Sequence, residues 1–206
     1  MTLKIYGIAR SRALRTLWMA HELGIPFDLI NVPPGAEGSR KPEFLRLNPN
    51  GQVPFIDDDG LILWESLAIN LYLAKKHGGP LGPANPAEDS LMTMWGFWTV
   101  NDIEPHAITI LYNAAELPAA ERSPAAVTAA LEALKAPLAV LEGKLKEGGG
   151  YLVGRRFTVA DLNTICCLFY LRVAPQALAD KPAIRAWYDK GMARPANRTA
   201  FALRGD

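Results

Sequence analysis

Short apolar runs alternate with amphipathic stretches over the first third of the chain, and helical patterns fill the rest. Leu3 to Gly7 reads as a strand. Arg12 to Leu23 follows as a helix, with Leu14, Leu17, Trp18 and His21 on one face and Gly24 as its stop. Phe27 to Val32 predicts a second strand, parallel to the first because a helix lies between them. Pro33-Pro34-Gly35 breaks the chain, and Lys41 to Leu47 predicts a short helix. Val53 to Ile56 is a short apolar run, Asp57 to Gly60 a turn, and Leu61 to Trp64 the returning strand of a hairpin. Ser66 is then placed to cap a helix running from Leu67.

The resulting order, βαβαββα, is that of a thioredoxin-like α/β domain, expected over residues 1–79. Gly78 to Pro83 is rich in residues that cannot continue a helix, and a linker is expected at 80–86. Beyond it, over 87–206, an all-helical bundle domain is expected. Ala87 to about Asn113 predicts a long helix, kinked or ended by Pro105. Ser123-Pro124 supplies a cap followed by proline at the first helical position. Leu131, Leu134, Leu138, Leu141 and Leu145 then form a core stripe, which Gly148-Gly149-Gly150 ends. Phe157 to Leu162 reads as a capping box, with Thr158 as the cap and Asp161 reaching back. That pattern makes Asp161 a folding residue before a catalytic one. Cys166 and Cys167 sit inside the same helix among apolar neighbours, as packing residues. Pro182 to Met192 predicts the final helix.

The net charge of +1 and the absence of a Lys/Arg cluster argue against a nucleic-acid partner. No uninterrupted apolar run approaches ~18 residues, so no membrane span is expected. The only two cysteines are adjacent, which excludes a disulfide framework and makes a reducing cytoplasm the expected location. His21, His77 and His106 are far apart in sequence and share no ligand spacing, so no metal site is expected.

The stretch NPNGQVPFIDDDGLILWES, Asn48 to Ser66, carries the most chemistry. Pro54 opens a strand without a ladder donor. A cis Val53-Pro54 bond would turn the Val53 backbone outward, where an extended peptide could pair with it. Glu65 and Ser66 fall at a helix N-terminus, where backbone N–H groups and the helix dipole favour an anion. An ordinary hairpin followed by a capped helix would carry the same pattern.

NPNGQVPFI followed by WESLAINLYLAKKH resembles the N-terminal domain of the cytosolic glutathione transferases, and the similarity extends over nearly the whole chain through GRRFTVADL. The resemblance implies that the Val53-Pro54 bond is cis, that the Val53 backbone pairs with the cysteinyl part of glutathione, and that Glu65 and Ser66 hold its γ-glutamyl carboxylate. It places Arg40 and Gln52 toward the glycyl carboxylate and the cysteinyl backbone. It also suggests that Asp102 reaches the amino group of a glutathione bound by the partner in a homodimer. Arg40 reads equally as a solvated loop charge, and Asp102 as an exposed helix acid.

A thiol with a pKa of about 8.5 is mostly protonated at neutral pH, yet the thiolate is the nucleophile. A hydroxyl donating to the sulfur beside a helix N-terminus favours the charged form. YGIARSRALR puts Ser11 between the first strand and the first helix. It resembles the serine-type, theta-like members, bacterial ones included, in which a serine and a downstream arginine flank this turn; these fall on Ser11 and Arg15. Ser11 as a simple helix cap is the bland alternative. Tyr6 is the rival activator, since tyrosine-type classes place a phenol at the end of this strand, and it reads equally well as packing. The absence of cysteine in this loop disfavours thiol-disulfide chemistry.

The resemblance thus implies conjugation of glutathione to a small hydrophobic electrophile. The electrophile is expected between Ile8 and Ala9 on one side and a helix rich in Trp95, Phe97, Trp98 and Tyr112 on the other; aromatics at helical spacing are more often core than pocket, so no individual pocket residue is assigned. The competing expectations are glutathione-dependent reduction, dehalogenation or isomerisation at the same site, and a non-catalytic binding module.

Overall fold

The computed structural model describes residues 2–205. Its contacts divide the chain into two compact units. One holds the residues up to Pro83 together with those from Ala193 onward; the other is Ala84–Met192.

The first unit runs β1 (Leu3–Gly7), α1 (Ala13–Leu23), β2 (Phe27–Asn31), α2 (Pro42–Leu45), β3 (Phe55–Asp58), β4 (Leu61–Trp64) and α3 (Ser66–His77). The sheet order is β2-β1-β3-β4. β1 and β2 are parallel, as the intervening helix requires, while β1 with β3 and β3 with β4 are antiparallel. Ile5 lies opposite Ile56, both are fully buried, and α1 and α3 pack against this sheet. The alternation of the strand puts Tyr6 and its partner Phe55 on the other face. There the two rings stack at 4.4 Å and Phe44 of α2 meets Tyr6 edge-on.

The hairpin turn is tighter than the pattern Asp57 to Gly60 implied. Asp57 and Asp58 belong to β3, and only Asp59 and Gly60 turn, with φ of 56° and 89°. Two consecutive positive φ values make the primed turn whose twist matches the strands.

The chain's last segment differs from expectation. The helical domain was expected to run to residue 206, but α9 (Pro195–Ala202) packs along α1 in the first unit. Charge explains the pairing. Arg194 donates through Nε and Nη2 to the two carboxylate oxygens of Glu22 at 2.6 and 2.7 Å, and Trp18 donates to the same carboxylate at 2.9 Å.

In the second unit, α4 (Pro86–Trp98) is capped by Asn85, whose side-chain oxygen accepts from the Glu88 N–H. The long helix expected from Ala87 is interrupted by a π turn at Thr99–Ile103 before α5 (Glu104–Leu111). Pro105 has no N–H to give to a carbonyl one turn back and its ring crowds that position, so the backbone widens just ahead of it. α6 (Pro124–Glu147) starts at the Ser123 cap and buries Leu134, Leu138, Leu141 and Leu145. By length and composition alone α6 could cross a membrane. Leu134, Leu138, Leu141 and Leu145 are buried and Leu131 half-buried; α6 packs on α5 and α8 (Pro182–Met192), while Glu132 and Lys135 pair on its surface. Glu142 of α6 accepts from the Ala183 and Ile184 N–H groups that open α8.

α7 (Val159–Leu168) begins with the expected capping box. The Asp161 carboxylate is fully buried and accepts from the Thr158 N–H and hydroxyl, the Leu152 N–H and the Trp187 indole, all within 3.0 Å. Burial pushes its carboxyl above the ordinary range, against the pull of these donors. With its oxygens committed to framework donors, Asp161 is a folding residue.

Candidate active site

In the first unit, Tyr6, Ser11, Val53, Pro54, Glu65 and Ser66 fall at the end of β1, the start of β3 and the starts of α1 and α3. Gly7 closes β1 with φ of 151°. A Cβ there would sit 2.6 Å from the Ala13 Cβ, 3.5 Å from the Val53 Cβ and 3.7 Å from the Ser11 Oγ. Only glycine allows this approach, and it brings Ser11 and Val53 to one point. The Val53-Pro54 peptide bond is cis.

Ser11 lies in a turn closed by its own N–H on the Ile8 carbonyl at 3.0 Å. Its hydroxyl donates to the same carbonyl at 2.7 Å and accepts from the Ala13 N–H at 3.1 Å. Arg12 occupies the cap position of α1, so Ser11 stands one residue ahead of it. The Ala13 N–H polarises the hydroxyl as a donor. If the hydroxyl proton turned toward a sulfur, the Ile8 carbonyl would keep the Ser11 N–H. Tyr6 is committed differently, its ring held between Phe55 and Phe44.

The loop before Pro54 is braced by two buried polar side chains that the sequence pattern did not single out. The Ser39 hydroxyl donates to the Gly51 carbonyl at 2.7 Å, and the Asn48 amide to the Gln52 carbonyl at 2.9 Å. Asn48 stands in the quoted motif, whereas Ser39 has no local signature. Gly51 takes φ of 62°, and the Arg40 side chain packs against it; a Cβ there would lie 2.9 Å from the Arg40 Cγ. Arg40 is therefore draped over the backbone next to Gln52 with its residue exposed.

Glu65, rather than Ser66, is the cap residue of α3, with φ of 73° and ψ of 107°. A non-glycine residue with positive φ is strained, and such strain gathers at functional sites. Ser66 is the first residue of α3 and is buried, and its Oγ accepts from the Arg15 Nη1 at 3.2 Å. Asn70 of α3 donates to the Arg15 carbonyl at 3.3 Å. Arg15 thus joins α1, which starts beside Ser11, to α3, which starts beside Glu65. It follows the Ser11 turn in the first turn of α1 and makes this buried bridge from there.

Asp102 lies in the second unit, exposed within the π turn. Of the aromatics expected along the same stretch, Trp95 is buried, while Phe97 and Tyr112 are exposed.

Ser11 with its polarised hydroxyl, the Val53 backbone and the α3 N-terminus together suit a small peptide bearing a thiol and a carboxylate.

Comparison with known proteins agrees. Residues 1–75 match the family model for the glutathione S-transferase N-terminal domain, and residues 100–195 that for the C-terminal domain. Glutathione S-transferase F13 of Arabidopsis thaliana is 33% identical over 205 residues, covering 95% of this chain and 93% of its own. A theta class glutathione S-transferase from Xanthomonas axonopodis pv. citri, solved with glutathione bound, superposes with a TM-score of 0.88 at 33% identity, covering 97% of each chain. Glutathione transferase F7 from Populus trichocarpa superposes at 0.87 with 29% identity, over 98% of this chain and 99% of its own. F-numbered plant enzymes and a theta class bacterial one thus stand at similar distance, and the theta-like class expected from the sequence is not singled out. With both domains matched and relatives aligned over nearly its full length, the chain belongs to the glutathione S-transferase family.

Proposed function

We propose that this glutathione transferase activates the thiol of its co-substrate glutathione at Ser11 and joins the sulfur to a small hydrophobic electrophile. The carrying observation is the Ser11 hydroxyl. It is polarised by the Ala13 N–H, and its present acceptor, the Ile8 carbonyl, has a second donor in the Ser11 N–H. In this reading Val53 and Gln52 meet the cysteinyl backbone, Glu65 and Ser66 take the γ-glutamyl carboxylate at the α3 N-terminus, and Arg40 holds the glycyl carboxylate. A serine rather than a cysteine in this turn favours conjugation over thiol-disulfide exchange.

The active assembly in this reading is a homodimer in a reducing cytoplasm. Leu91, Met94 and Phe97 of α4 are exposed apolar side chains that a two-fold interface would cover. The neighbouring Asp102 would then reach the partner's glutathione. The two adjacent cysteines on α7 fit a chain without a disulfide framework. The testing experiment is retention on immobilised glutathione, then turnover across aryl halides, hydroperoxides and haloalkanes, with sedimentation alongside. The reading expects retention, conjugation of an aryl halide, and a dimer at micromolar concentration. Retention without turnover on any substrate would leave a binding module.

A further inference from the structure

Arg10 sits in the turn that presents Ser11, between Ala9 and the serine. Its Nε donates to the Arg204 carbonyl at 3.0 Å and its Nη2 approaches the Gly205 carbonyl at 3.5 Å. One planar guanidinium therefore spans two successive carbonyls of the turn that follows α9. That turn is itself anchored. α9 packs along α1, and Arg194, just ahead of α9, is clamped on Glu22 near the far end of α1. The chain's last residues thus splint α1 at both ends, and the end nearer the chemistry closes on the residue preceding Ser11.

We propose that Arg10 is a positioning residue for the reaction, holding the Ile8–Ser11 turn against the chain's C-terminal carbonyls so that the Ser11 hydroxyl is aimed for thiol activation. The proposal rests on the reading of Ser11 as the activating hydroxyl. The turn is short, and its geometry follows the backbone of Arg10. Loss of the guanidinium fork would let the turn, and with it the hydroxyl, take other orientations. A less well-aimed donor stabilises the thiolate less. Lysine could keep the charge but, as a point donor, could not reproduce the planar fork over both carbonyls.

The thiolate absorbance of bound glutathione is titrated against pH in wild type, Arg10→Ala, Arg10→Lys, Ser11→Ala and the double variant Ser11→Ala with Arg10→Ala. Melting temperature confirms folding, and a chain ending at Ala202 serves as a second route to the same loss. Arg10→Ala, Arg10→Lys and the shortened chain are each expected to raise the bound thiol's pKa by about half a unit, with about a threefold fall in kcat at neutral pH and little change in KM for glutathione. In the Ser11→Ala background the Arg10 change is expected to add nothing. An equal pKa rise in that background, or full rescue by lysine, would make Arg10 a direct electrostatic contributor and overturn the positioning role. An unmoved pKa in both Arg10 variants and the shortened chain would overturn it too. A Ser11→Ala titration identical to wild type would remove the reading of Ser11 itself, and is distinguishable because that single variant alone reports it.

Discussion

Arg15 of α1 donates to the Ser66 hydroxyl of α3 across 3.2 Å, and both residues are buried. This bond ties the helix that starts beside the proposed thiol activator to the helix that starts beside the proposed carboxylate site. The cysteinyl thiol and the γ-glutamyl end of a bound tripeptide would then be held by elements that cannot shift independently.

Arg15→Ala is expected to lose stability and glutathione affinity together. A buried hydroxyl loses its charged donor and a large side chain leaves a gap, a loss of about 2–4 kcal/mol in urea unfolding. Ser66, no longer held, would orient poorly, and the glutathione Kd is expected to rise by about tenfold, or about 1.4 kcal/mol. Calorimetric titration checks this. A destabilised variant with wild-type affinity would show that Arg15 serves the core alone.

Caps, turns and the succession of strands and helices were legible in the sequence because their chemistry is local. Ser123 before Pro124, and Thr158 with Asp161, declare helix starts within four residues. Pro105 announced a break because proline has no donor, although the π turn that accommodates it left no mark of its own. The α3 start was misread by one residue. Ser66 is the better capping side chain in general, but the positive φ of Glu65 puts that residue at the cap instead. Least legible were the long-range polar pairs. Glu22 and Arg194 lie 172 residues apart, so nothing in either neighbourhood signals that the chain's end returns to α1. The grouping of the residues from Ala193 onward with the first unit went unsignalled for the same reason. Ser39 was missed because a serine in a loop is ordinary until its buried contact with the Gly51 carbonyl is seen.

In the second unit, Glu88 receives both Arg156 terminal nitrogens, at 2.9 and 2.6 Å, and the Ala84 N–H at 2.8 Å. These donors hold its carboxyl at about 2, down from 4.5. A depressed folded-state pKa gives a contribution that is complete above the unfolded value near 4.5 and is lost as pH falls toward 2. The full shift would be worth about 3 kcal/mol, and solvent at this partly exposed pair reduces it to about 1 kcal/mol. Glu88→Gln is therefore expected to unfold at lower urea than wild type at pH 6, with the two midpoints converging as the pH approaches 2. A gap that stays constant across that range would mean the pair contributes by packing rather than by charge.

Absorbance of bound glutathione against pH reads out whether the Ser11 hydroxyl stabilises the glutathione thiolate. In Ser11→Ala the bound thiol's pKa is expected to rise toward its free value by one to two units, or about 1.4–2.7 kcal/mol. Turnover at neutral pH would fall by about ten- to a hundredfold, the deficit shrinking as solvent supplies thiolate at higher pH, while glutathione affinity stays near wild type. Tyr6→Phe is expected to titrate as wild type, since its ring is held between Phe55 and Phe44. An unmoved titration in Ser11→Ala with a shifted one in Tyr6→Phe would contradict the account and hand the role to the tyrosine.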